Sequence, residues 1–540
     1  MRIFPSQFSR DDQNPSIRLF GRRFSNDLQT MNVLAELLLV ASADKRIGAD
    51  GEPFAAYFPE GHELSLLREG RSSVSYSPKA RLNLKLFSFF NASSLSTRHP
   101  VHREHARELW RGLASKVNLE REEERQAILQ TISALCLGFL GNGAGRTWCA
   151  QTFLPFSRSL LCSEEIWKAT KARSQPPTDW NMVCENFSTY FESSKHRILD
   201  RSGESLYLQL CSAFARTPGE IDVWLSDRTD LRDAFLPDEA DPSTLRRNLS
   251  AALGEFFNTT PRGLPPLLDF IDMSVDENTA HATDLEDGMN TPRLTECGWI
   301  PDACWREGYL FAVELKRLLS ANIDVMDKIE MLEIACALQI LRTLAVQTYR
   351  HSPTPGGKAD GSDFRLLLCD AGDRSRKQKS YSEQALIELS REMKLTIRTP
   401  ELQEGIPDAD KEKVNKEGDA YGYKLYRKLG KAIGMIVPPV GGRMKATLND
   451  KMLRCLLLTL VPGKRMTLDS FKQRLKSHHG FVFHPYELVD SRNWAGRRQE
   501  LVGDRSGDAW IERMLDASGM LVRLSDACSL VRNQFVRVQS

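Results

Sequence analysis

PDACWREGYLFAVELKRLLSANIDVMDKIEMLEIACALQILRTLAVQTYR, residues 301–350, admits two readings, and the choice between them sets the fold of the chain. Pro301, Asp302, Glu314 and Lys316 fall in the order of a PD-(D/E)xK nuclease, in which two carboxylates hold a divalent metal and the lysine sits beside the attacking water. That reading needs Tyr309 to Leu315 to be a strand. Phe311, Leu315 and Leu318 instead recur at i, i+4 and i+7, on one face of a helix. Beyond them Ile329, Leu332, Ala335, Leu338, Ile340, Leu341 and Leu344 form a wide apolar face. The spacing predicts helices over Trp305 to Ser320 and Asp324 to Tyr349. The middle third is then a helical bundle, with the metal-dependent nuclease as the alternative.

Working outward, Met31, Leu34, Leu37, Leu38 and Ala41 predict an amphipathic helix over Leu28 to Ile47. Helical patterns recur twice between His102 and Leu140, then at Cys162 to Ala172, Asn181 to Phe191, Glu204 to Phe214 and Ser243 to Phe257. Residues 1–26 read as a flexible basic arm, 27–271 as a helical body in which the fold of 48–100 stays open, and 272–296 as an acidic linker or loop. Residues 297–420 hold the bundle and one buried strand beginning at Phe364, and 421–540 form a basic domain. The expected class is mostly α, with a small α/β element and a C-terminal α+β unit.

That last unit concentrates the charge. The 540 residues carry 73 Lys and Arg against 71 Asp and Glu, a net +2. Tyr421 to Gly480 holds thirteen cations against Asp450 and Asp469, a local +11, so the other 480 residues sum to −9. A one-sided basic domain on a mildly acidic body is the pattern of a protein that docks on a polyanion, usually nucleic acid; a merely solvated basic face is the plain alternative. The expected nucleic-acid contacts are Lys424, Arg427, Lys428, Lys431, Arg443, Lys445, Lys464, Arg465, Lys472, Arg474 and Lys476, then Arg497, Arg498, Arg523 and Arg532. His478, His479 and His484 lie beside them and would add positive charge below neutral pH.

Local signals predict the order of elements here. Two strands turn at Pro438 to Gly442, Asn449 caps a helix over Lys451 to Leu460, and Thr467 caps a second over Leu468 to Ser477. Ala509 to Ala517 makes a third helix, and Met520 to Val538 reads as strand, turn, strand. Helices followed by a hairpin are the order of a winged helix-turn-helix, whose third helix ordinarily enters the major groove. Glu512 and Asp516 make that helix a poor groove reader, so phosphate contacts or a protein interface are expected over base reading.

Other constellations are weaker than their structural explanations. His99, His102 and His105, with Cys136, lack the paired ligand spacing of a zinc site and read as a surface cluster. GNGAGRTW, residues 141–148, follows a helix and lacks the lysine spacing of a phosphate loop. Cys369 and Asp370 end the buried strand, where α/β proteins often place functional groups, and Arg374, Arg376, Lys377 and Lys379 follow them. No metal and no cofactor are expected. Eleven scattered cysteines read as reduced thiols, and no apolar run reaches membrane length, so a cytoplasmic protein without membrane contact is expected.

RLLLCDAGDRSRKQKSYSE (365–383), YGYKLYRKLGKAIGMIVPPVGGRMKATLNDKMLR (421–454) and LVRLSDACSLVRNQF (521–535) resemble segments of a bacterial family from anti-phage defence islands of the methylation-associated kind. The resemblance covers about the C-terminal third. It implies a non-catalytic DNA-binding or scaffolding component, with double-stranded DNA and other defence-system proteins as partners. It carries over no catalytic residue.

Overall fold

The computed structural model describes residues 2–5, 14–21, 28–49, 51–77, 201–259, 294–370, 372, 376–492, 494, 508–525 and 528–536, with shorter pieces between 100 and 192. Across them the chain is mostly helical with a few small sheets.

Near the N-terminus β1 (Ile3–Phe4) precedes α1 (Pro15–Phe20) and α2 (Thr30–Ser42). The helix expected to reach Ile47 stops at Ser42: Ala43 is extended, and β2 (Asp44–Ile47) pairs antiparallel with β3 (Val74–Ser77). The cause is Lys45. Its buried ammonium turns back to donate to the carbonyls of Val40, Ala41 and Ala43 at 3.2, 2.7 and 2.6 Å, satisfying the open end of α2.

Further on come α3 (Ser202–Phe214), α4 (Pro218–Asp227) and α5 (Pro242–Asn258). Every residue of α3 is buried. Two glycines make that depth possible: a Cβ on Gly203 would lie 2.3 Å from the Leu37 nitrogen of α2. Short strands β4 (Thr295–Glu296) and β5 (Ile300–Pro301) join β3 and β1 respectively. The stretch 301–350 then resolves as α6 (Trp305–Ser320) and α7 (Val325–His351), with the Asp324 side chain capping α7 by accepting from the Met326 N–H at 2.8 Å. The second glycine is Gly308 of α6, whose Cβ would meet the Gln209 oxygen of α3 at 2.2 Å. Thus α3 lies against α2 on one side and α6 on another.

The remaining chain wraps α7. Buried β6 (Leu366–Leu367) is followed by α8 (Arg376–Ile397), longer at both ends than the helix expected there. α9 (Asp408–Asp419), a π-turn over Ala420–Lys424 and α10 (Leu425–Ala432) run on as one helical stretch through the position expected to open the basic domain. β7 (Ile436–Val437) and β8 (Lys445–Ala446) form the expected hairpin. Next come α11 (Asp450–Leu460), β9 (Arg465–Thr467), α12 (Leu468–His479), β10 (Phe481–Val482), α13 (Ala509–Ala517), β11 (Leu521–Ser525) and β12 (Cys528–Arg532). β9, β12 and β11 lie in that order in one antiparallel sheet, while β10 pairs parallel with β6.

Elsewhere the expected helix at Cys162 to Ala172 is instead a strand at Glu165–Trp167 and a helix at Ala169–Ser174. β-Branched and aromatic residues favour the extended form, and here Ile166 pairs with a short strand on each side and Trp167 with Phe191 on one.

Candidate nucleic-acid interface

The three-stranded sheet near the C-terminus carries the clearest exposed charge. Asn449 caps α11 by accepting from Met452 N–H at 2.8 Å, Pro462 and Gly463 end it, and β9 begins at once. Alternation along the strands then sorts the side chains. Met466 and Val531 face each other toward the core, as do Leu521 and Val531. Arg465 stands directly opposite Arg532, both exposed, on the outer face with exposed Thr467 and Val522. Like charges directly opposite on antiparallel strands destabilise a sheet. Exposed Lys464 precedes the pair, and its carbonyl accepts from Asn533 N–H at 2.8 Å, which joins the ends of β9 and β12.

The other expected contacts divide into two groups. Lys424, Arg427 and Arg443 are exposed. Arg523 is exposed but pairs with Asp516 of α13 at 3.0 Å. By contrast, Lys472 bridges Asp469 and Asp508, each at 2.8 Å. Arg474 donates to the carbonyls of Leu460 and Asp233 at 2.9 and 2.8 Å, and burial with Arg317 nearby pushes its pKa down to about 10. Lys476 is half-buried 3.6 Å from Glu487, Lys428 is half-buried, and Lys431 donates to the Pro439 carbonyl at 2.8 Å. Lys445 lies within β8, half-buried. Arg497 and Arg498 lie outside the described residues, as do His99, His102, His105 and the segment 141–148.

The nuclease residues are not brought together. Asp302 pairs with Arg216, and Lys316 with Asp238 and Glu239 at 2.9 and 3.3 Å. Glu314 is buried in α6, bonded through both oxygens to Arg342 at 2.7 and 3.0 Å, with His478 Nδ1 2.9 Å away and His479 Nε2 at 3.6 Å. Burial would raise its pKa, but the Arg342 guanidinium and the hydrogen bond with His478 hold it well below the usual carboxylate range. Burial lowers both histidines, His479 to about 3. Neither therefore supplies the positive charge expected of it below neutral pH, because a cationic ring there would be stripped of water beside Arg342.

Sequence reasoning missed a largely apolar groove, flanked by cations, that the +11 window covers only in part. Ile387, Arg391, Lys394 and Leu395 of α8 line it together with Arg398 just past the end of that helix, Tyr423 and Met444. The spacing i, i+4, i+7, i+11 from Ile387 was the available signal. Arg398 is held by Asp419 at 2.9 Å. Among the described residues no helix is long and apolar enough to cross a membrane. No protein family, curated protein or solved structure was found to match the chain.

Proposed function

We propose that this protein is a non-catalytic, DNA-contacting scaffold that grips the backbone of a duplex with the outer face of the β9–β12–β11 sheet. The single observation that carries the reading is the exposed, in-register pair Arg465 and Arg532 with Lys464 beside it. A polyanion laid on that face would turn cross-strand repulsion into attraction. The order α11, β9, α12, β10, α13, β11, β12, with β12 between β9 and β11 and β10 paired outside that sheet with β6, supports a winged helix-turn-helix whose hairpin is the wing. Its third helix, α13, buries Trp510, Ile511 and Leu515 and pairs Asp516 with Arg523, which leaves little for base reading.

The resemblance to defence-island proteins adds a setting: a component of a cytoplasmic anti-phage complex, with other defence proteins as partners. That setting rests on the three quoted segments alone.

Binding of a duplex without sequence preference should fall steeply with salt. Replacing Lys464, Arg465 and Arg532 by Gln together should flatten the logarithmic salt slope by about one unit per lost phosphate contact, about three in all. Arg474→Gln should weaken folding and leave the slope alone. Unchanged affinity and slope in the triple variant, read by mobility shift across a salt series, would sink the proposal. Val522 and Leu524, 40% and 61% exposed on the hairpin, favour a second reading in which this face docks a protein. In that case no duplex shift appears at physiological salt.

A further inference from the structure

Away from the basic sheet, α8 carries apolar side chains on two of its sides. Leu386, Leu389, Met393 and Ile397 are buried in the core, while Ile387 and Leu395, about two turns apart, stand on the outer side and stay 50% and 39% exposed. Single exposed apolar residues are ordinary. These two, however, share one groove of about 490 Å3 with Tyr423 of the π-turn and Met444 just before β8. The two helical walls lie close, since a Cβ on Gly422 of the same π-turn would be 3.5 Å from Ile397 Cδ1. Ile387, Arg391, Lys394, Leu395 and Arg398 recur at i, i+4, i+7, i+8 and i+11 along one face, about 16 Å in length.

Shape and charge together describe what would cover this groove. Floor residues so exposed do not enclose a small molecule, whose pockets bury most of its surface. Nor is there a strand edge to join: the long wall is α8, whose backbone N–H and C=O groups are engaged within the helix, so an extended peptide finds no ladder there. A partner helix brings a satisfied backbone of its own and an apolar stripe at i, i+3, i+4 and i+7. Charge decides the flanks of that helix. Arg391, Lys394 and Arg398 line the groove and no carboxylate does. Asp419 holds Arg398 at 2.9 Å. Arg391, with 67% of its side chain exposed, approaches the Glu388 carboxylate at 3.4 Å, and exposed Lys394 has no ion pair among the described residues. Burial pushes the Tyr423 hydroxyl up to about 12 while exposed Arg427 nearby pulls it the other way, and exposed Arg443 precedes Met444, so two more cations stand beside the groove. An apolar floor between cationic rims is complementary to an amphipathic helix with acidic flanks, whereas a phosphate backbone would gain nothing from the floor.

We propose that this groove docks an amphipathic helix of a partner protein, about three turns long, whose apolar stripe covers Ile387, Leu395, Tyr423 and Met444 and whose flanking carboxylates meet Arg391 and Lys394. The site lies on other elements than the duplex-contacting face and does not depend on that reading. Selection on the full chain from a displayed library of stable helical hairpins, randomised along one exposed face, tests it. Enriched hairpins should carry Leu, Ile or Met at i, i+3 or i+4, and i+7 with Asp or Glu beside them, and should bind saturably by fluorescence anisotropy. Ile387 and Lys394 are exposed, so Ile387→Ser and Lys394→Glu leave the core intact, and each should weaken binding about tenfold or more. A hairpin whose acidic flank is changed to Lys should regain affinity for Lys394→Glu, which loss of structure alone would not produce. No enrichment, enrichment of basic or stripeless hairpins, or wild-type affinity in both variants would overturn the proposal. So would dimers that light scattering finds in the wild type and Ile387→Ser abolishes, which make the occupant a second copy of this chain. Sedimentation with phosphatidylserine vesicles that depends on Ile387, or loss of duplex binding in Ile387→Ser, would likewise overturn it in favour of a lipid surface or nucleic acid.

Discussion

Glu314 shows how far a side chain's role depends on what folding brings beside it. In sequence it stands two residues before Lys316, as a nuclease motif requires; in the structure Lys316 pairs with Asp238 and Glu239, and Glu314 meets a histidine 164 residues away. With Nδ1 facing a carboxylate, the neutral His478 ring carries its proton there. This cluster makes stability depend on acid. Both histidines have folded pKa values below the ordinary one, so below about pH 6.5 the unfolded chain takes up protons that the folded chain refuses, and stability falls. Glu314 acts in the same direction in a lower window: its folded pKa is depressed, so its contribution is present above the ordinary carboxylate value and is lost as pH drops through it. With a folded pKa of about 3, His479 should lose about 1.4 kcal/mol per pH unit between roughly pH 6 and 5, and His478 adds to the fall in the same direction. Urea melts across that range should show the slope, and His479→Phe should remove one histidine's share; an equally steep variant would refute the assignment. None of this was legible in the pair His478–His479, because burial belongs to the packing.

At the scale of elements, local signals fared well. Helices α6 and α13 begin and end where their periodicity places them, and Asn449 and Thr467 cap α11 and α12 by accepting from Met452 and Ser470 N–H at 2.8 and 3.2 Å. Those features depend on neighbours within a turn or two. What escaped were ends decided by distant partners, as where pairing with β3 cuts α2 short, and short strands such as β1 and β4, too brief to leave a pattern. Close crossings escaped as well. Gly308→Ala would press a methyl against the Gln209 carbonyl, where backbone rather than a flexible side chain must move. The expected outcome is a loss of about 1–3 kcal/mol or more by urea denaturation, with helical content retained. Wild-type stability would mean that α3 and α6 can separate freely.

For the whole molecule, buried apolar residues from Phe4 to Val531 belong to one core cluster. The C-terminal residues share it: Arg317 of α6 donates to the Thr459 carbonyl of α11 at 2.9 Å, Arg474 of α12 reaches the Asp233 carbonyl at 2.8 Å, and β10 completes a sheet with β6. A fragment of residues 421–540 should therefore expose the apolar face of α11, bind a hydrophobic dye and melt without a cooperative transition. A sharp melt with protected amides would show instead that the basic unit stands alone. The candidate interface was half legible for the same reason. Charge counting picked out the stretch that holds Lys464 and Arg465, yet Lys472 and Arg474 in it are engaged inside the fold, and Arg465 meets Arg532 across two strands 67 positions apart. By itself the sequence determined the helical class, the caps and the +11 polarity, because periodicity, capping and charge are short-range or additive. Only the tertiary structure decided which cations face solvent, that Glu314 is a buried anchor, and that Ile387 and Met444 share a groove, because burial and pairing depend on residues that the fold alone brings together.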